Sequence, residues 1–256
     1  IVFKRGAMNI GTLPFLLLQA SVLLVFSTYF SWTGALICAL SYLVRMFAIT
    51  AFYHRYFSHR TFAMGRPMQF LAALLGAAAT QKGPLWWAAH HRQHHKSSDT
   101  EEDPHSPHFS GLIKPFLGIP EELPYDHKVT KDLIRDKSQV FTHKNYFKIQ
   151  LIWITFLGLL SYLIGSLLPI IIFYCMASVS LWLLYGVTNT IEHMGGYRTY
   201  DTKDWSGNHH WIRFLWLGAG LHNNHHYNSR SPNFNLRNNW WEFDAEYFII
   251  KRFFQC

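Results

Sequence analysis

Cysteine is scarce in this sequence, with three among 256 residues. Cys38 and Cys175 fall within hydrophobic stretches and Cys256 ends the chain, so the pattern predicts neither a disulfide framework nor a metal site built from thiolates. Charged residues are few as well, at 15% of the chain. The sequence also has no internal repeat, no low-complexity tract and no cleavable signal pattern. These absences exclude a small disulfide-stabilised domain and a repeat architecture.

Hydrophobic residues, in contrast, make up 50% of the chain and aromatic residues 17%. Four hydrophobic stretches approach the roughly 20 residues that a helix needs to cross about 30 Å of hydrocarbon. Pro14 and the Gly165 to Pro169 segment mark a helix start and a tight turn, which pairs the stretches as two helical hairpins. We therefore predict an all-α fold in a single integral-membrane domain, residues 1–256, with transmembrane helices at about 13–30, 33–53, 149–163 and 167–187.

The remaining segments, residues 54–148 and 188–256, are expected to form a helical domain outside the bilayer. A shorter apolar run at residues 68–79 either lies in the membrane interface or forms a buried helix of that domain. All 23 Lys and Arg residues lie before the first predicted span, between Arg45 and Lys148, or after the fourth span. By the positive-inside rule, both termini and both long segments then face the cytosol.

The net charge of +8 is therefore concentrated on one side of the membrane. It suits contact with anionic headgroups, phosphorylated substrates or an acidic redox partner, or it serves only to set the topology. We expect the lipid bilayer, and no nucleic acid, among the partners of the chain.

Two local features qualify this topology. Arg45 interrupts the second hydrophobic stretch nine residues before His54; its side chain either snorkels to the membrane surface or anchors a polar group there, and we favour snorkelling. The chain opens with Ile1 and not with Met, from which we expect a truncated N-terminus.

Three short blocks of histidine stand out against this hydrophobic background: HRYFSH, HRQHH and HNNHH. Neutral imidazole is a strong ligand for first-row metals, so eight histidines can surround two ions without a carboxylate or a thiolate. In the second and third blocks the histidines are spaced i, i+3 and i+4, which places them on one face of a helix. His54 and His59 are five residues apart, about 140° around an α-helix, and suit two neighbouring ions or a helix end better than one chelate.

A single such block also fits a solvated basic helix, a tract for nonspecific metal, or interior histidines that only form hydrogen bonds. Three blocks on one membrane face favour a metal centre. The other histidines lack the shared spacing, and we expect none of them to be a ligand: His90, His105, His108, His127, His143, His209 and His210. Asn189 and His193, in NTIEHMGGYR, share one helical face at the end of the fourth stretch; by themselves they also fit a helix end that bonds to itself.

The blocks and their surroundings resemble the integral-membrane acyl-CoA desaturases of the stearoyl-CoA Δ9 type. The resemblance rests on HRYFSHRTF, TQKGPLWWAAHHRQHHKSSD with EDPHSP after it, NTIEHMGGYRTYD, and HNNHH with NNWWEFD after it. It implies four membrane helices, a cytosolic cap with two iron ions (Fe²⁺), and a bacterial cytoplasmic membrane or endoplasmic reticulum location. The implied ligands are His54, His59, His91, His94, His95, His193, His222, His225 and His226, with Asn189 holding a water at one iron.

The chain departs from the family pattern before the third block. Relatives often carry a glutamate in a GEG stretch, where this chain has Gly218, Ala219 and Gly220. A carboxylate that orients a ligand is therefore expected to be missing, and such groups tune metal affinity. His90 also permits a different ligand register in HHRQHH, although only His91 completes the i, i+3, i+4 spacing.

The resemblance implies that the chain inserts a cis double bond into a saturated fatty acyl-CoA. No amino-acid side chain removes hydrogen from an unactivated alkyl chain, so the oxidant comes from the metal and O₂, and we assign no catalytic residue beyond the metal centre. Two electrons come from a separate donor, a cytochrome b5, a ferredoxin or a similar protein with its reductase. Trp86 and Trp87 either wall the substrate channel or anchor the interface.

Three alternatives stay open at this stage. A histidine-box fatty-acid or alkane hydroxylase would add oxygen where a desaturase leaves a double bond. An acyl-lipid desaturase would differ only in the headgroup of its substrate. A membrane metal transporter would place polar ligands at the bilayer midplane within broken helices, whereas the histidine blocks lie at or beyond the span ends.

Overall fold

The structure is a computed structural model, and it describes residues 32–116, 127–163 and 167–256, together with Ala20. The first predicted span, 13–30, lies outside the described residues except for Ala20. The described residues are helical and contain no β-strand, only isolated bridges such as Tyr197 with Asn208 and Asn208 with Leu221. The all-α class predicted from the sequence is confirmed for this part of the chain.

The helices fall into long elements that build the body of the fold and short elements that position side chains. In chain order they are α1 (Trp32–Phe47), a π-helix (Ala48–Ser58), α2 (Arg66–Ala78), α3 (Pro84–Ser97), α4 (Ile113–Phe116), a 3₁₀-helix (His127–Thr130), α5 (Lys131–Ile134), α6 (Lys137–Leu163), α7 (Leu167–Glu192), α8 (Ile212–Leu215), α9 (His222–Tyr227) and α10 (Ala245–Phe253).

Among the described residues, one helix is long and apolar enough to cross a membrane, Ala35–Ser58, with 24 residues. It contains most of the second predicted span, and the third and fourth predicted spans lie within α6 and α7. The outward face of α6 is apolar and exposed, as at Ile152, Phe156 and Leu159. The arrangement of four spans in two hairpins stays a prediction.

Arg45 lies where α1 packs along α7, and the expectation that it snorkels to the surface is wrong. The residue is 5% exposed, and its guanidinium donates to Ser178 Oγ at 2.5 Å and to the Tyr174 carbonyl at 2.8 Å. It also lies 4.1 Å from the centre of the Tyr174 ring. Polar groups of α7 accept the hydrogen bonds of the guanidinium inside the protein, so Arg45 links α1 to α7.

The π-helix continues α1 and carries the first histidine block at its end. All its residues are buried, and α2 packs closely against it because Gly76 has no side chain. A β-carbon at Gly76 would overlap the Tyr53 ring. The apolar run at residues 68–79 thus belongs mostly to α2, whose small residues Ala72, Ala73 and Ala77 are buried in the core.

A buried ion cluster fastens the C-terminal segment to the same π-helix. Arg55 is fully buried; its guanidinium pairs with Asp244 at 3.0 Å and with Glu246 at 2.8 Å. Asp244 also caps α10, since its carboxylate accepts the Tyr247 N–H at 3.1 Å. The segment that follows the third histidine block is therefore held against the helix that carries the first block.

Candidate metal centre

The structure gathers the histidines of all three blocks, and His193, into two adjacent groups. Within each group the candidate ligand atoms lie within 4.8 Å of one another. The five-histidine group consists of His54, His59, His91, His95 and His225, and the four-histidine group of His94, His193, His222 and His226. All nine predicted ligands are therefore brought together. Their role as ligands stays a prediction.

The five-histidine group is a chain of converging Nε2 atoms. Successive Nε2 separations are 2.8 Å from His59 to His91, 3.0 Å on to His95, 2.9 Å on to His225 and 2.9 Å on to His54. Metal–nitrogen bonds of about 2.0–2.1 Å that meet near a right angle place two nitrogens about 2.9 Å apart. The donor set therefore fits one ion held by imidazole alone.

The first block joins this group through an unusual backbone. On an α-helix His54 and His59 would point about 140° apart, but their ring centroids are 5.2 Å apart and both belong to the five-histidine group. The helix that carries His54 is a π-helix, which ends at Ser58, and His59 is its C-terminal cap, so the backbone between the two histidines is not α-helical. Both residues belong to one group, so they do not divide between two groups as α-helical geometry suggested; the alternative that they lie at a helix end is confirmed, since His59 caps the π-helix.

Each of the other two blocks is divided between the groups. On α3, His91 and His95 belong to the five-histidine group and His94 to the four-histidine group. On α9 the division is reversed, since His225 belongs to the former group and its neighbours His222 and His226 to the latter. The His95 and His226 rings stack between the groups with centroids 4.4 Å apart. Two short helices thus contribute to both groups at once.

The six-residue helix α9 is held in place by the asparagines around it. The side-chain oxygen of Asn208 accepts the backbone N–H groups of Asn223 at 2.8 Å and Asn224 at 3.3 Å, which caps the helix start. Asn223 accepts the backbone N–H of Thr199 at 2.8 Å. Asn224 donates to the Phe234 carbonyl at 2.9 Å. The two residues between the histidines of HNNHH are therefore structural, and they fix the direction of the rings.

Carboxylates surround the four-histidine group. The Nδ1–H of His94 donates to both oxygens of Asp103 at 3.0 Å, and His193 donates in the same way to Asp99 at 2.8 Å. Two further pairs complete the set: His226 with Asp204 at 2.7 Å and His222 with Glu192 at 3.4 Å. Because an ionised carboxylate only accepts hydrogen bonds, each Nδ1 that faces an aspartate carries the proton and leaves Nε2 as the metal donor.

The electrostatics of the centre keep the imidazoles neutral. Burial, reinforced by neighbouring histidines, lowers the pKa of His59 to about 3. Burial also lowers the pKa of His94 to about 3, although Asp103 opposes the shift. The pKa values of His91 and His225 are held well below the usual range for the same reasons. Neutral imidazole is the form that binds metal.

The pKa values of the aspartate partners are also lowered, which for a carboxyl group favours the charged form. Burial alone would raise the pKa of Asp103, but the charges and hydrogen bonds of His94 and His105 hold it well below its ordinary value. Hydrogen bonding to His226 likewise lowers the pKa of Asp204 against the effect of burial. These carboxyl groups therefore stay ionised and act as acceptors.

Asn189 lies beside the centre but in neither histidine group. Its side chain donates to the Tyr185 carbonyl at 2.8 Å, and it lines a cavity that also contains His54, His91 and His222. This position leaves the predicted role of holding a water untested. The cavity is the space through which a small ligand would reach both groups.

The two tryptophans of the second block lie along this approach. Trp87 lines the cavity with Asn189, and it also lines a second pocket together with Trp86, Trp182 and Tyr185. Its ring stacks on His91 with centroids 5.1 Å apart. The wall of this second pocket is mainly aromatic. A channel function for Trp86 and Trp87 stays a prediction.

The histidines that lack the shared spacing lie elsewhere, with one partial exception. His90 stacks on Trp86 with centroids 3.8 Å apart and belongs to neither group, so the alternative register finds no support in the geometry. His105 lies 3.3 Å from Asp103 and could complete a third cluster with His94 and Asp103. Since His94 is shared with the four-histidine group, this cluster is an extension of the same centre.

The sequence analysis missed the carboxylates that contact the histidine rings. Asp99 and Asp103 stand in the quoted stretches HHKSSD and EDPHSP, and Asp204 follows NTIEHMGGYRTYD by three residues. The signal that could have found them is chemical, because a ligand histidine commonly donates its second nitrogen to a carboxylate. Spacing alone does not show which acidic residue faces which ring.

The geometry defines a class of site, a pair of adjacent histidine groups that could each hold a metal ion, at the end of a helix of membrane-spanning length. The fatty acid desaturase family model matches residues 30–248. The chain therefore belongs to the fatty acid desaturase family and is an oxidoreductase, which confirms the resemblance drawn from the histidine blocks.

Three relatives illustrate the similarity. The chain is 32% identical over 259 residues to the sn-1 stearoyl-lipid 9-desaturase of Anabaena variabilis. The aligned region covers 94% of this chain and 89% of that protein. It is 30% identical over 231 residues to the sn-2 palmitoyl-lipid 9-desaturase of Nostoc sp. (strain 36), covering 87% and 79%. It is also 30% identical over 233 residues to the acyl-CoA 5-desaturase AL21 of Anemone leveillei, covering 87% and 69%.

Proposed function

We propose that this protein inserts a cis double bond at carbon 9 of a saturated fatty acyl chain, using O₂, two irons and two electrons from a separate donor. The single observation that carries the proposal is the pair of adjacent groups formed by nine histidines, each with converging ring nitrogens. Two bound irons would supply the oxidising power that no side chain has, with O₂ accepting the hydrogens removed from the chain as water.

The residues of this chain prepare that chemistry in three ways. Burial favours the neutral form of histidines such as His59 and His94. Asp99, Asp103 and Asp204 hold three rings in one tautomer. The aromatic walls formed by Trp87 and Tyr185 exclude water and confine an extended apolar chain. Since neighbouring methylenes are chemically alike, the position of the double bond depends on how deep the chain enters this space.

The carrier of the acyl chain has two candidates. Acyl-CoA is the first, because the concentration of basic residues on one side suits a phosphorylated headgroup. A lipid-bound chain is the second, and it is supported by the relatives from Anabaena and Nostoc, which are lipid desaturases by name. The separate electron donor is a cytochrome b5, a ferredoxin or a similar protein with its reductase.

We place the centre on the cytosolic side of a bacterial cytoplasmic membrane or the endoplasmic reticulum. The support is the sequence distribution of Lys and Arg, which lie together with the histidine blocks on one side of the predicted spans. Cysteine-accessibility labelling at an exposed residue such as Lys96 tests this orientation. Labelling from the opposite compartment would contradict it.

The test of function is expression in a host that makes no monounsaturated fatty acids, followed by location of double bonds in its lipids. We expect monounsaturated acyl chains with the bond at carbon 9, and loss of product in His94→Ala and His225→Ala. His210→Ala is the matched control, because His210 is exposed and lies outside both histidine groups. Hydroxylated chains would identify a hydroxylase.

Two further measurements separate the remaining candidates. Purified protein supplied with an electron donor receives stearoyl-CoA in one reaction and stearoyl phospholipid vesicles in another, without an acyltransferase. The reaction that yields product identifies the carrier. A protein that retains two irons but consumes no O₂ with either substrate would favour metal transport or storage over catalysis.

A further inference from the structure

Glu192 differs from every other buried glutamate that the structure describes. It is 4% exposed, its Oε2 lies 3.4 Å from Nδ1 of His222, and its Oε1 is buried without a hydrogen-bond partner in the described part of the chain. Burying a carboxyl group is costly unless hydrogen bonds or a charge compensate it. Packing alone therefore gives no reason for a glutamate at this position.

The other buried glutamates show what a structural role looks like. Glu242 accepts hydrogen bonds from Tyr197 at 3.1 Å and from Asn224 at 3.2 Å. Glu246 pairs with Arg55 at 2.8 Å and accepts a hydrogen bond from Thr50. Each of them faces several donors, whereas Glu192 faces one histidine of the candidate metal centre.

The place of Glu192 in the fold completes a pattern. It is the last residue of α7 and directly precedes His193, a member of the four-histidine group. With Glu192, each histidine of that group has a carboxylate at its Nδ1. His105 has a similar contact, since it shares Asp103 with His94.

Glu192 also lies next to the position where a carboxylate is expected to be missing. Ala219, Glu192 and His222 line the same cavity. A carboxyl group at position 192 therefore reaches the space that a glutamate at position 219 would occupy. Ala219 lies in the turn before α9, and the acidic residue comes to the same cavity from the end of α7.

We infer that Glu192 is a positioning residue whose carboxylate accepts the Nδ1–H of His222 and directs the His222 Nε2 to the ion of the four-histidine group. This inference rests on the proposed metal centre. A carboxylate that orients a ligand was expected at residue 219, and Glu192 takes that role in this chain. A glutamate at position 219 should therefore replace the function of Glu192.

Metal binding tests the inference without relying on catalysis. Detergent-purified Glu192→Gln and Glu192→Ala are loaded anaerobically with ferrous iron enriched in ⁵⁷Fe, and then titrated with a chelator. We expect one of the two irons to bind about 10–100-fold more weakly, as is usual when such a carboxylate is lost, with the weaker effect for glutamine because its amide oxygen still accepts the Nδ1–H. Mössbauer spectra should show a change in one iron environment and not in the other.

Two comparisons make the test specific. Glu101→Gln is the matched control, since Glu101 is exposed, and it should leave both affinities unchanged. Ala219→Glu in the Glu192→Ala background should restore the affinity of the weakened site. Unchanged affinities in both Glu192 variants, equal weakening of both irons, or a double variant without rescue would each overturn the inference.

The test of Glu192 can fail or succeed independently of the test of the proposed function. A protein that binds two irons in the manner described but forms no unsaturated product would refute the proposed function and leave the role of Glu192 intact. A protein that forms product and shows no effect of Glu192 on iron binding would do the reverse.

Discussion

The buried charge of Arg55 provides a quantitative test of how the C-terminal segment supports the metal centre. Arg55 follows His54 on the π-helix and is 0% exposed. Its guanidinium pairs with Asp244 and Glu246, and it lies 3.9 Å from the centre of the Phe234 ring. Asp244→Ala removes one of the two carboxylates that compensate this charge.

The expected loss can be estimated from the contacts of Asp244. Removing one partner of a buried ion pair typically costs about 3–5 kcal/mol, because the remaining charge is left without compensation. The change also removes the acceptor for the backbone N–H groups of Phe234 at 2.9 Å and Tyr247 at 3.1 Å. For a chain of this size, a loss of 3–5 kcal/mol lowers the Tm by about 6–20 °C.

Thermal unfolding in detergent, followed by intrinsic fluorescence, measures this shift at fixed metal content. The matched control is Arg60→Gln, which removes an ion pair to Asp132 at 3.0 Å whose side chains are 35% and 41% exposed. Exposed pairs contribute at most about 1 kcal/mol. If Asp244→Ala lowers the Tm no more than Arg60→Gln does, the argument that buried charge compensation holds this segment is refuted.

Three further predictions concern packing, the carboxylates and pH. Gly76→Ala should destabilise the protein by about 1–3 kcal/mol, because the new β-carbon would overlap the Tyr53 ring. The control is Gly65→Ala, whose β-carbon would have no neighbour closer than 4.0 Å and which should unfold like the parent. Equal Tm values for the two variants would contradict the prediction. Asp204→Asn removes the charged acceptor for His226 and should weaken iron retention about 10–100-fold against a chelator, and undiminished retention would count against it. In metal-free protein, burial holds the pKa values of His59 and His94 at about 3, below the unfolded value of 6.5. Below pH 6.5 the unfolded state therefore binds more protons than the folded state, and the urea midpoint of unfolding should be lower at pH 5.5 than at pH 7.5. A midpoint that does not change would refute the assignment.

The histidine blocks could be predicted from the sequence because the spacing of their histidines is a local pattern. The i, i+3, i+4 pattern places three rings on one face of α3, and the structure places all of them at the centre. His91 is favoured over His90 by the same reasoning, and in the structure His90 stacks on Trp86 away from both groups. These inferences require only helical geometry.

The features that the sequence did not predict depend on contacts between distant segments or on an unusual backbone. Nothing in HRYFSH indicates a π-helix, so the angle between His54 and His59 was misjudged. The burial of Arg45 depends on Ser178 and Tyr174, more than a hundred residues away. In the same way Asp99 reaches His193 only because the loop after α3 folds against the end of α7.

The division of the histidine blocks links the two groups mechanically. Helix α3 contributes two histidines to the five-histidine group and one to the four-histidine group, whereas α9 contributes one and two. A rotation of either helix would therefore move rings in both groups together. On each helix the two histidines one turn apart belong to the same group and the third histidine belongs to the other, so the helix itself fixes the spacing between the groups. Three aspartates contact rings of the four-histidine group, through His94, His193 and His226, so their negative charge lies beside that group. Two ions held in such unequal electrostatic surroundings would differ in their affinity for electrons, because Asp99, Asp103 and Asp204 all lie beside one of the two groups.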